Sequence, residues 1–123
     1  MSGKQNAKKS NSLLPRLRVM HGNDIALGPG RVDLLALIGE TGSLRAAAKG
    51  MGMSYMRAWM LVKYTNGCFS KPLVEVARGG KTGGGATLTA SGKKIVQRYR
   101  EMEKASQRAM NSNWRQLKKF LKH

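Results

Sequence analysis

Acidic residues are scarce in this chain. Six Asp and Glu stand against 23 Lys and Arg in 123 residues, for a formal net charge of +17. A folded surface with that imbalance repels itself and attracts a polyanion, either nucleic acid or an anionic membrane. The same scarcity restricts catalysis. Asp24, Asp33, Glu40, Glu75, Glu101 and Glu103 are scattered, and Glu101 and Glu103, two apart on a helix, point in different directions and make a poor acid/base pair. The single cysteine, Cys68, excludes an internal disulfide framework, fits a reducing compartment and reads as a small buried thiol. The two histidines, His21 and His123, lie at opposite ends, so no zinc-ligand spacing exists and His21 reads as a turn residue. No run approaches the ~18 apolar residues of a spanning helix. The start, MSGKQNAKKSNS, lacks an apolar signal-peptide core. An enzyme, a resident metal or cofactor, membrane insertion and secretion are therefore not expected.

What is present is enough for one core: 41% of the residues are hydrophobic. Residues 1–12 are polar, carry Lys4, Lys8 and Lys9, and read as a flexible basic arm that touches phosphates or is simply solvated. Residues 13–110 read as the folded domain and 111–123 as a C-terminal amphipathic helical extension. Two short apolar stretches within Leu17–Leu27 flank His21-Gly22-Asn23-Asp24 and predict a small hairpin. Pro29 suits the first turn of a helix over Pro29–Thr41, with Val32, Leu35 and Ile38 inward, Leu34 and Leu37 widening the stripe, and Gly42 closing it. Ser43 caps a short alanine-rich helix, Gly50 and Gly52 supply a turn, and Ser54 caps the next helix, about Tyr55–Thr65. On that helix Ala58, Leu61 and Val62 face inward and Arg57 and Lys63 outward, while Trp59 fits either side.

The period then changes. Leu73–Ala77 and Ala86–Thr89 alternate as strands around a glycine-rich basic connection, residues 78–85. Gly80-Lys81-Thr82 matches the end of a phosphate-binding loop. The template's first glycine falls on Glu75, however, and no helix follows at once, so that reading fails. Thr89 caps a long basic helix with Ile95, Tyr99, Met102 and Ala109 on one face. Asn111-Ser112-Asn113 is expected to interrupt it before a second stripe of Trp114, Leu117 and Leu121 with Phe120 beside it. The fold class is mostly α with a small β component: a winged helix-turn-helix with a long C-terminal helix. The bare spacing also fits a three-helix packing unit with no role on DNA.

Several separated segments then share one resemblance. They are Gly28-Pro29-Gly30-Arg31, Gly42-Ser43-Leu44-Arg45-Ala46-Ala47-Ala48, Met51-Gly52-Met53-Ser54-Tyr55, Arg57-Ala58-Trp59, Pro72-Leu73-Val74-Glu75, Gly79 to Ala86, and Leu88-Thr89-Ala90-Ser91-Gly92. Taken in order, over roughly residues 17–105, they resemble the N-terminal DNA-binding domain of the molybdate-responsive ModE transcriptional regulators, whose helix-turn-helix is similar to the LysR type. The resemblance implies a dimer joined through the long C-terminal helix, with the helix around 54–66 in the major groove and the 78–85 wing on the backbone or in the minor groove. Met56 departs from it, since the family often has a basic residue after Ser-Tyr. The family's oxyanion-binding domains have no counterpart before His123, so no molybdate site is expected within this chain.

The expected function is that of a DNA-binding transcriptional regulator in a bacterial cytoplasm, associated with the nucleoid, with double-stranded DNA as partner. Ser54, Tyr55, Met56 and Arg57 lie where base edges or nearby phosphates are read, and the Arg57 fork suits a guanine. Ser43, Arg45 and Lys63 are expected on the backbone, and Arg78, Lys81 and Thr82 meet phosphate or the minor groove. Two alternatives stay open: an architectural DNA-binding protein of low sequence specificity, and an adaptor acting through its C-terminal helix.

Overall fold

The structure, a computed structural model, describes residues 10–77 and 85–123. It is mostly helical with two small two-stranded sheets and a long C-terminal helix. In chain order the elements are β1 (Val19–His21), β2 (Asp24–Leu27), α1 (Pro29–Thr41), α2 (Leu44–Gly50), α3 (Tyr55–Cys68), β3 (Val74–Val76), β4 (Ala86–Leu88) and α4 (Ala90–Lys118).

Local signals set the helix ends. Pro29 opens α1, and Gly42, at φ 67°, closes it by donating its N–H to the Ile38 carbonyl at 2.9 Å. Hydroxyls cap the other three helices: Ser43 accepts from the Ala46 N–H at 3.0 Å, Ser54 from Arg57 at 3.1 Å and Thr89 from Gly92 at 2.9 Å. Between α2 and α3 the turn rests on Gly52 at φ 70°, a conformation that costs a side chain free energy. Gly50 has a different role from the one its place before the turn suggests. It ends α2, where a Cβ would stand 3.3 Å from Leu37 Cδ1.

The core is built from Val32, Leu34, Leu35 and Ile38 of α1, Leu44, Ala47 and Ala48 of α2, and Ala58 and Val62 of α3. Leu73, Val74, Ala86 and Leu88 of the second hairpin and Tyr99 of α4 close it. The alanines of α2 leave room for α1 and α3 to approach. β3 and β4 pair antiparallel, Val74 with Leu88 and Val76 with Ala86. The link between α1 and α2 lies on the far edge of β4: Ser43 bridges Gly85, and the Ala86 N–H donates to the Gly42 carbonyl at 3.1 Å. That contact ties the base of the hairpin to the start of α2.

Asn66 makes a second tie. Its Nδ2 donates to the Val74 carbonyl at 2.9 Å, and its Oδ1 accepts from the N–H groups of Leu73 and Val74 at 2.8 and 3.2 Å. An asparagine usually weakens a helix by bonding nearby backbone. Here its amide is engaged outside, and α3 runs past the expected Thr65 to Cys68. Asn66→Ala is expected to cost about 2 kcal/mol: the buried Leu73 and Val74 N–H groups lose their acceptor, and alanine's better helix propensity, at most about 0.7 kcal/mol, offsets only part. Urea unfolding checks this; an unchanged midpoint would refute it.

The expected interruption at Asn111-Ser112-Asn113 is absent, and α4 continues through it to Lys118. All three residues are exposed, and each costs a few tenths of a kcal/mol in a helix, too little to break one that has neither glycine nor proline nearby. The 29-residue helix is ~44 Å long at 1.5 Å per residue. The N-terminal segment is fastened to the helix at one point and to the chain past its end at another: the Tyr99 hydroxyl donates to the Leu17 carbonyl at 2.7 Å, and Asn11 Nδ2 to the Lys122 carbonyl at 3.1 Å. Between them Leu13, Pro15 and Leu17 are half-buried while Leu14 and Arg16 are exposed, the alternation of an extended strap. Burial, then the nearby Glu103 carboxylate, raises the Tyr99 pKa and keeps the hydroxyl a donor.

Candidate nucleic-acid interface

α3 presents one face to the core and the other to solvent. Ala58, Val62 and Thr65 are buried, and Trp59 and Leu61 are half-buried against the core. Met56, Arg57, Met60, Lys63 and Tyr64 are exposed. Neither α2 nor α3 contains an acid. Asp33 and Glu40 lie on α1, and Glu101 and Glu103 on α4. Asp33 is 2.9 Å from the Arg100 guanidinium on the α4 side of the molecule; both side chains are well exposed, so the pair contributes about 1 kcal/mol at most. Asp24 borders α3 beside Tyr64 and Glu75 lies on β3, so cations outnumber acids along α2 and α3, and the Ser54-capped start of α3 adds the partial positive charge of a helix N-terminus.

Each expected contact residue has a definite place. Ser43 is half-buried and Ser54 exposed; both hydroxyl oxygens accept as caps, leaving the O–H to donate elsewhere. Arg45 of α2 stacks over the Tyr55 ring, its guanidinium carbon 4.8 Å from the centroid, which joins the two helices at the surface. Tyr55 packs partly on the core, so its ring is a platform for Arg45 more than a free probe. Lys63 Nζ lies 5.2 Å from the Trp59 ring. The Arg57 side chain makes no hydrogen bond or ion pair with the described residues. Arg78, Lys81 and Thr82 lie outside the described residues.

Open grooves flank α3; one lies between Trp59, Lys63 and Asn66 of α3 and Val74 and Val76 of β3, and two others gather polar and charged groups. The first of these two, of about 540 Å³, is lined by Arg57, Met60, Lys63, Tyr64 and Cys68 of α3 with His21 and Asp24 of the first hairpin. Cys68 is half-buried here, not the buried thiol expected. Asp24 is engaged: hydrogen bonding to it is the first cause of a raised Tyr64 pKa, and desolvation follows. The other groove, about 320 Å³, brings Arg16, Arg18, Arg31 and Arg57 around the start of α1. Arg31 is partly committed, donating to the Ile25 carbonyl and lying 5.1 Å over the Tyr64 ring. Sequence reasoning missed Arg16 and Arg18, because an extended strap joined to a remote helix by backbone carbonyls has no local signature. Their alternation with Pro15 and Leu17 was the only trace. Among the described residues, no group of three or more His, Cys, Asp or Glu is placed to hold a metal. No helix is long and apolar enough to cross a membrane among them either.

A comparison with described protein families gives no match. Individual proteins do match. The chain is 44% identical to the molybdenum-pterin-binding protein MopB of Rhodobacter capsulatus over 86 residues, 70% of this chain and 32% of that protein. It is 40% identical to the DNA-binding transcriptional dual regulator ModE of Escherichia coli over 83 residues, 68% of this chain and 32% of the regulator. With MopA of Rhodobacter capsulatus the figures are 35% over 98 residues, 80% of this chain and 37% of the other. The chain is thus homologous, over about 70% of its length, to ModE regulators and to molybdenum-pterin-binding proteins, and spans about a third of the length of these relatives.

Proposed function

We propose that this chain is a DNA-binding transcriptional regulator of the ModE type, acting as a homodimer in the cytoplasm. The observation that carries the reading is α3: an acid-free helix, capped at its exposed start by Ser54, with Arg57 free of described partners and Lys63 on the same solvent side. Placed in a major groove, its first turns bring Ser54, Met56 and Arg57 to base edges, where the Arg57 fork bonds both acceptors of a guanine. Ser43, Arg45 and Lys63 take backbone phosphates, and Arg45 is held ready by the Tyr55 ring. Arg78, Lys81 and Thr82 of the wing are assigned to the neighbouring backbone or minor groove. On α4, Met102 and Leu117 are exposed apolar residues, with Phe120 and Leu121 just past its end, and a second copy of this C-terminal segment is the partner that covers them. The molybdenum-pterin binding named for two relatives belongs to proteins of which the match is about a third, and it is not carried over.

Selection from a random duplex pool tests the reading. The expected result is an enriched inverted repeat with half-sites one DNA turn apart, ~34 Å. Arg57→Ala is expected to cost ~10- to 100-fold in affinity and to relax preference at one G·C pair in each half-site. Uniform recovery of all sequences would point to architectural binding, and no recovery would exclude both.

A further inference from the structure

The exposed face of α3 carries more than cations. Met56 is 63% exposed and Met60 53% exposed. They stand four residues apart, so they form one ridge along the helix, with Arg57 beside it. A methionine on a base-reading face is chemically specific. Its thioether is at best a weak acceptor, so against adenine N6 or cytosine N4 it leaves a donor unpaired. Only thymine offers a major-groove edge with an apolar group, its 5-methyl. The side chain is long, unbranched and polarizable, able to follow a methyl that stands out from the groove floor. Nothing in α3 opposes the approach of a duplex, since the helix holds no acid and Arg57 and Lys63 bracket Met60 in sequence.

We infer that Met56 and Met60 read thymine methyl groups and supply part of the sequence specificity of α3. The inference rests on the proposed DNA-binding function and adds what the site prefers. The two side chains leave the helix ~6 Å apart along its axis, a span of about one to two base-pair steps for a helix lying in the groove. Each half-site therefore holds two thymines within about two pairs of one another, next to the guanine bound by Arg57.

The test uses the full chain and the duplex enriched by selection, with each thymine in turn replaced by deoxyuridine, which removes only the 5-methyl. Affinity is expected to fall about fourfold per contacted methyl, and about fifteenfold when the equivalent thymine is replaced in both half-sites. Met56→Gln and Met60→Gln, at exposed positions that leave the core intact, are each expected to abolish the uracil penalty at one position and keep it at the other. A selected site that tolerates uracil everywhere, or a penalty that survives both variants, overturns the methyl reading and leaves DNA binding standing. Failure to bind any duplex overturns both.

Discussion

Gly92→Ala is expected to destabilise the fold by about 3 kcal/mol or more, although alanine is the better helix former by about 1 kcal/mol. Gly92 sits in the first turn of α4, and a Cβ there would stand 2.3 Å from the Leu73 carbonyl oxygen and 2.5 Å from Leu88 Cδ1. Leu88 has some freedom to give way. The Leu73 carbonyl does not, because it already accepts from the Thr89 N–H at 2.9 Å and from the Thr89 hydroxyl at 3.1 Å. Relief of the clash moves α4 away from the β3–β4 hairpin and strains both bonds. Overpacking of this kind costs about 1–3 kcal/mol, and each weakened hydrogen bond adds about 1 kcal/mol. The clash therefore exceeds the propensity gain. Gly30→Ala supplies the control: Gly30 is also helical, but a Cβ there meets nothing within 4 Å, so stability is expected to be unchanged or to rise by up to about 1 kcal/mol. The denaturant midpoint should fall for Gly92→Ala and hold or rise for Gly30→Ala. Equal shifts would show that the packing of α4 on the hairpin does not hold the fold as described.

The second large effect is electrostatic. Affinity for duplex DNA is expected to fall by ~10³ to 10⁵ between 50 and 200 mM salt, the dependence of a protein that neutralises 6 to 10 phosphates. That number follows from the surface. Arg16, Arg18, Arg45 and Lys63 are exposed around α2, α3 and the strap, so the proposed dimer reaches about eight contacts before the proposed wing is counted. Arg45→Ala removes one contact from each protomer and is expected to lower the slope of log affinity against log salt by about 1.8. A slope near zero would mean that the +17 charge serves something other than phosphate binding.

The parts of this fold that were legible in the sequence are those governed by neighbours in the chain. Ser43, Ser54 and Thr89 announced three helix starts because a cap acts over three residues, and Gly42 announced a helix end for the same reason. The stripe on α1 was legible because burial follows helical period. What escaped depends on remote partners. The Ser43–Gly85 bridge is a single residue pair across the fold, and the partners of the Asn66 amide, Leu73 and Val74, lie outside α3. Gly92 looks like an ordinary first-turn residue until the Leu73 carbonyl is placed against it. At Asn111–Asn113 three weak helix preferences suggest a break, and solvent exposure makes them harmless.

In the candidate interface, Arg57 and Lys63 stand outward as their helical spacing predicts. Tyr55 is less free than its position implied, because its ring supports Arg45. Met56 looked like the loss of a basic contact. Seen with Met60, it becomes part of an apolar ridge on the same exposed face.

The affinity ratio between the selected duplex and a scrambled duplex of the same length and composition, at one physiological salt concentration, bears most directly on the central claim. A sequence-reading α3 predicts a ratio of ~10³ or more. A ratio near one would contradict it and leave the chain an architectural binder whose charge, not its recognition helix, holds the DNA.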